Sequence, residues 1–249
     1  MKSTARAPRP AMALLALAGA LALGMAGTPD RAASQASMSG LSGHWNVPGA
    51  ELLGDGKLEF GYNSVPKRWA YDRRGEYRND VYFATLGFLS RVEIGLRVTA
   101  LPGFIAFSDV DSASRLTDSD RMVSVKVQLL RASRSMPDVT VGIEDLEGTR
   151  RFHTAYVVVG RGIPLGPLRF RADAGYAGPV FGKRTNVTLD GAFGAVDVWA
   201  LDRIACGAEY DSEKWNLGLK ARGPLGITGR LVWLHARDLS GGFGLSVNL

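Results

Sequence analysis

From Lys57 to the terminal Leu249, apolar residues return at every second position in one short segment after another. This period of two constrains the fold more than any other feature of the chain. In the last segment Phe243, Leu245, Val247 and Leu249 alternate with Gly242, Gly244, Ser246 and Asn248. That spacing puts the apolar set on one face of a strand and the small or polar set on the other. A soluble protein seldom ends on an uncharged alternating strand without a polar tail. A transmembrane barrel does, because its last strand must close against its first.

Twelve such segments are expected, near residues 57–64, 80–88, 91–99, 121–130, 138–144, 152–160, 168–176, 189–199, 204–211, 215–222, 227–235 and 240–249. In the third, Val92, Ile94, Leu96 and Val98 alternate with Glu93, Gly95 and Arg97. The second, sixth, eighth and eleventh have ambiguous faces. The long connections, 65–79, 100–120 and 177–188, all follow odd-numbered segments, whereas 89–90, 200–202 and 223–225 are short and follow even-numbered ones. A β-sandwich has no reason to sort its loops this way. Outer-membrane barrels do, with short periplasmic turns and longer outer loops. The expected fold class is all-β: a single antiparallel transmembrane β-barrel of about twelve strands, after an N-terminal signal peptide.

The start of the chain reads as that export signal. Lys2, Arg6 and Arg9 precede an Ala- and Leu-rich run from Ala11 to Gly27. Ser34-Gln35-Ala36 gives one cleavage site and Gly24-Met25-Ala26 an earlier one. The expected division is residues 1–36 as signal peptide, 37–56 as a periplasmic N-terminal segment or small plug, and 57–249 as barrel. Cleavage after Ala36 removes Lys2, Arg6, Arg9 and Arg31 together with Asp30, lowering the formal charge from +6 to about +3. Such a mild excess in an exported chain does not point to nucleic acid. The single cysteine, Cys206, forms no internal disulfide, so stability must come from a core or a closed sheet.

The chemistry-bearing residues fall in two groups. Glu59, Glu93, Arg97, Lys126, Arg169, Arg171, Asp173, Glu209, Lys220, Arg222 and Arg230 lie on polar strand faces and are expected to line the lumen. Two readings of that lumen stand side by side: one filled by its own salt bridges, and a narrow, basic-leaning path that guides acidic sugars. Lys67, Arg68, Arg73, Arg74 and Arg78 crowd the first long loop with Trp69, Tyr71 and Tyr77. If that loop faces outward, it is a candidate contact for lipopolysaccharide phosphates or an acidic glycan. Asp109, Asp111, Asp118 and Asp120 share another long loop without EF-hand spacing. His44, His153 and His235 are far apart and lack ligand spacing. No G-x-S-x-G or H-E-x-x-H motif occurs. No catalytic residue, metal or cofactor is expected.

Residues 40–62 are less generic. Gly40 and Gly43, then Pro48 and Ala50, then Asp55-Gly56 before the first strand form a pattern that resembles the opening segment of the YjbH-like family of outer-membrane proteins associated with exopolysaccharide or capsule production. Ala208-Glu-Tyr-Asp211 followed by Trp215-Asn-Leu-Gly-Leu219 is similar to later family strands. The resemblance implies a non-enzymatic outer-membrane barrel of a Gram-negative-type envelope. It would act as an accessory or channel in exopolysaccharide or capsule export or surface assembly. A small anion or oligosaccharide pore, or a barrel enzyme unrelated to polysaccharide, is the alternative. The partners expected are outer-membrane lipid and lipopolysaccharide, the barrel-assembly machinery through residues 240–249, and polysaccharide-export proteins. Read from its residues alone, segment 40–56 rests against the periplasmic mouth or tucks into the lumen. Trp45 is then either an anchor or an ordinary packing residue.

Overall fold

The structure, a computed structural model, describes residues 34–66, 79–100, 120–148, 152–181 and 189–249. The strands are β1 (Lys57–Val65), β2 (Asn79–Phe88), β3 (Val92–Ala100), β4 (Asp120–Leu130), β5 (Asp138–Gly148), β6 (Thr154–Leu165), β7 (Leu168–Gly178), β8 (Gly191–Ala200), β9 (Ile204–Tyr210), β10 (Trp215–Arg222), β11 (Ile227–Leu234) and β12 (Asp238–Asn248). Each pairs antiparallel with its sequence neighbours. β12 returns to β1, from Lys57 opposite Asn248 to Ser64 opposite Gly241, and closes the barrel. Closure leaves no sheet edge with unpaired backbone groups.

The period of two separates the faces, and burial assigns them. Along β10 the side chains of Trp215, Leu217 and Leu219 are exposed outside, while Asn216, Gly218 and Lys220 are buried inside. A soluble barrel puts its apolar face inward; this one is inverted. Phe60, Leu96, Val98, Val157, Tyr176, Val196, Leu231, Trp233 and Phe243 are all exposed on the outside. Toward the rim that carries the long connections the outer wall becomes aromatic. There the Tyr62 ring lies 5.5 Å from Tyr82 and 5.7 Å from Phe243, and Tyr210 lies 5.6 Å from Trp215.

The other rim is made of short turns. Leu89-Ser90 and Leu201-Asp202 each place two successive residues at positive φ, between 52° and 55°. That is the backbone of a two-residue hairpin turn whose twist matches its strands. His235-Ala236 repeats this geometry at the opposite rim. β5 runs past the expected residue 144 to Gly148, across a register shift opposite Val123 and Val125.

The four segments with ambiguous faces acquire a physical reason. Val81 and Phe83 on β2, Tyr156 and Val158 on β6, Phe193, Ala195 and Trp199 on β8, and Val232 and Leu234 on β11 are apolar and yet point inward, where they are buried. Tyr156, Val158, Phe193, Ala195, Val232 and Leu234 are buried in a hydrophobic core to which residues 34–56 contribute, whereas Trp199 lies against Arg169 and Arg222.

Candidate functional site

The lumen is occupied by the segment before β1. Apart from two isolated bridges, Ala36 with Ser42 and Gly43 with Pro48, this segment has no regular structure. Turns within it pair some backbone groups, such as Ser37 N with Leu41 O and Met38 N with Trp45 O, but many other buried N–H and C=O groups need partners from elsewhere. The barrel wall supplies them, acids to the donors and bases to the acceptors.

Four carboxylates take the N–H groups. Glu59 accepts from the Ala36 amide at 3.0 Å. Glu93 accepts from Ser42 N at 2.6 Å and from Leu53 N at 2.7 Å. Glu209 gathers three consecutive amides, Trp45 at 3.0 Å, Asn46 at 2.8 Å and Val47 at 3.3 Å, and is itself held by Asn216 Nδ2 at 3.1 Å. Asp173 accepts from Ala50 N at 2.7 Å.

The carbonyls are taken by cations and hydroxyls. Lys126 Nζ donates to Ser42 O at 2.7 Å and to Glu51 O at 2.6 Å. Lys220 Nζ donates to Gly43 O at 2.7 Å. Arg230 Nη1 donates to Ala36 O, and to Ser37 O at 3.1 Å. Thr85 Oγ1 donates to Gly40 O at 2.5 Å and Thr140 Oγ1 to Ala50 O at 2.6 Å. Charge-assisted bonds of this kind are the strong ones in a dry interior.

Two plug side chains complete the seat. Trp45 is fully buried and packs in a cluster with Met38, Val232 and Leu234. Its Nε1 donates to Leu219 O at 3.1 Å, and Lys220 Nζ lies 5.8 Å from its ring. The wall makes room for it with glycine: a Cβ on Gly218 would sit 2.2 Å from the indole, and one on Gly207 would sit 2.8 Å away. On the other side Val47 and Ala50 pack with Tyr156, Val158, Ala177, Phe193 and Ala195.

His44 is buried between two wall carboxylates. Its Nε2 lies 2.8 Å from Asp173 Oδ2 and its Nδ1 lies 2.9 Å from Asp197 Oδ2. Burial alone would push the imidazole pKa down. Hydrogen bonds to Asp173 and Asp197, with their charges, outweigh it and raise it to about 9. His44 is therefore an imidazolium at neutral pH. Beside it Arg171 spans Asp173 and Glu51, at 2.7 Å from each. Burial pushes the Glu51 carboxyl up, and the Arg171 charge opposes that rise.

All eleven residues read from the sequence as lumen-lining lie on inward strand positions. Glu59, Glu93, Lys126, Asp173, Glu209, Lys220 and Arg230 bind the plug backbone, whereas Arg171 binds Glu51. Arg97 lies 5.1 Å over the Phe152 ring at the long-connection mouth. It lines there a cavity of about 300 Å³ together with Asn46, Glu144 and Asp211. Arg169 and Arg222 lie at the short-turn mouth against Trp199, at 5.4 Å and 4.4 Å. The five basic loop positions, Lys67, Arg68, Arg73, Arg74 and Arg78, and also Asp109, Asp111 and Asp118, lie outside the described residues. The three histidines take separate partners: His153 Nδ1 accepts from Val180 N and Phe181 N, and His235 Nε2 lies 3.4 Å from Asp211. Among the described residues no cluster of His, Cys, Asp and Glu is arranged to hold a metal ion.

Sequence reasoning missed His44, Glu51 and Asp197 as parts of this site. The signal for Asp197 was present, since a lone carboxylate between Val196 and Val198 belongs on the inner face of an otherwise apolar strand. For His44 there was none, because its partners are 129 and 153 residues further along the chain.

The stretch from plug to wall, residues 35–193, matches the family model YjbH, described as exopolysaccharide biosynthesis protein YbjH. The chain belongs to the YjbH family. The match takes in the plug and β1 to β7, reaching into β8, so the family signature covers the lumen segment as well as the sheet. No curated protein matches the chain. A β-barrel of the YjbH family fits an outer-membrane protein with an exopolysaccharide-related role.

Proposed function

We propose that this YjbH-family barrel resides in the outer membrane as a non-enzymatic accessory in exopolysaccharide export or surface assembly, working with its lumen closed. The inverted wall supports the membrane location. An apolar exterior over a polar lumen is stable against lipid tails, and an aromatic rim suits the lipid headgroup level. The observation that carries the closed lumen is the seating of residues 34–56. Their backbone is bound by Glu59, Glu93, Glu209, Asp173, Lys126, Lys220 and Arg230 from around the wall. A sugar chain cannot share that space.

Ser34, Gln35 and Ala36 belong to the seated segment, and Ala36 is bound through both its N–H and its C=O. The reading therefore favours export-signal cleavage at the earlier Gly24-Met25-Ala26 junction, which mass measurement of the mature protein checks. The functional test pairs planar-bilayer recording with deletion. The purified barrel should show no steady openings, and the deletion strain should lose surface polysaccharide. Steady openings blocked by acidic oligosaccharides would replace the accessory with a channel, and an unchanged glycan coat would remove the export role.

A further inference from the structure

The plug backbone engages most of the charged groups on the lumen wall, and an excess of cations over carboxylates remains at the short-turn mouth. At the short-turn mouth a small recess is lined by Arg169, Arg171, Lys220 and Arg222, with the carboxylates Glu51 and Asp197. Both carboxylates are engaged, Glu51 by Arg171 at 2.7 Å and Asp197 by His44 at 2.9 Å. Lys220 is spent on the Gly43 carbonyl, and Arg169 reaches the exposed Asp202 at 3.1 Å. Arg222 makes no side-chain hydrogen bond or ion pair with any described residue, and rests only on the face of Trp199. Gln35 Nε2, buried and without a hydrogen-bond partner, lines the same recess.

A guanidinium without a described side-chain partner, 4.4 Å over an indole, with a second guanidinium 5.4 Å from the same ring, suits the binding of an oxyanion. The Trp199 ring contributes cation–π attraction to both, which lowers the side-chain freedom lost on binding. The recess itself holds about 20 Å³, room for about one water-sized group, such as an oxygen at the edge of an acid, but not for a sugar ring. Its wall residues lie on β7, β8 and β10, close to the short β6–β7, β8–β9 and β10–β11 connections.

We infer that the short-turn mouth is a binding site for a single carboxylate or phosphate group carried on a saccharide, gripped by Arg222 and Arg169 beside Trp199. The site deepens the export reading and rests on it for the saccharide. Such a grip would tether an acidic glycan at the entrance of a closed barrel rather than conduct it through.

The experiment is titration calorimetry of the full mature barrel in detergent at neutral pH and low salt. The probes are tri-galacturonic acid, inorganic phosphate and, as the neutral control, maltotriose. Tri-galacturonic acid should bind and maltotriose should not. Arg222→Gln should weaken binding about tenfold, the loss of one charge-assisted contact. Arg222→Lys should keep part of it. Arg237→Gln, at the opposite mouth, should change nothing. Heat-modifiable migration on gels verifies that each variant is folded. Binding of phosphate alone would overturn the saccharide assignment, and equal binding by wild type and Arg222→Gln would overturn the site. These outcomes are read on the isolated protein, so they are distinguishable from an unchanged glycan coat, which bears on the export role alone.

Discussion

The lumen wall has two kinds of surface, and the plug is held differently on each. β3, β4, β7 and β10 present charged groups and grip the plug by its backbone: Glu93, Lys126, Asp173 and Lys220 all contact main-chain N–H or C=O groups. β6, β8 and the 232–234 end of β11 present Tyr156, Val158, Phe193, Val232 and Leu234 and grip it by its side chains, Val47, Ala50, Met38 and Trp45, while Arg230 earlier on β11 joins the backbone grip. A segment without helix or strand has many backbone groups to satisfy and few side chains with which to make a core. One surface solves the first problem and the other the second. Neither alone would fill a barrel of this width with so short a segment.

The largest test of this division is Trp45→Ala. Removing a fully buried indole from the apolar surface should cost about 3–5 kcal/mol of barrel stability in urea unfolding. If the cost is below that of a wall carboxylate variant, packing is not the dominant grip. The pH test comes next. The His44 pKa is raised to about 9 from 6.5 in the open chain, so its contribution is fully present below pH 6.5 and is lost as pH rises through about 9. That amounts to about 3 kcal/mol. Unfolding followed from pH 6 to pH 10 should show wild type losing that much more than His44→Gln, and parallel curves would remove the His44 contribution. Glu209→Gln comes third. It keeps the shape but replaces an acceptor serving three amides with a group that also donates, for about 2 kcal/mol. Smallest is a change outside both surfaces. Leu89→Asn with Ser90→Gly suits the positive φ of that turn and should raise stability by about 0.5 kcal/mol.

The barrel was legible in the sequence wherever the inner face is polar. β10 shows why: Leu217 and Leu219 against Asn216, Gly218 and Lys220 is an unambiguous alternation. It was obscure on β6, β8 and β11, because a wall strand that packs on a plug is apolar on both faces and loses its period. The eleven charged positions could be placed on the inner face, but not what they bind. Alternation reports which side a residue is on, whereas the partner of Glu209 is the backbone of Trp45, 164 residues earlier. Gly218 carries the same lesson. As a sequence letter it reads as a small residue on a polar face; in the barrel it is the space an indole needs.

The order of these contacts along the chain has a consequence for how the barrel is made. Residues 34–56 precede every strand, yet Glu209, Asn216, Lys220 and Arg230 belong to the last four strands. The earliest described segment thus waits for the latest ones, and β12 must still pair with β1 beside it. Winding the wall and seating its contents become a single closing event across almost the whole length of the chain, a topology that favours slow, all-or-none completion.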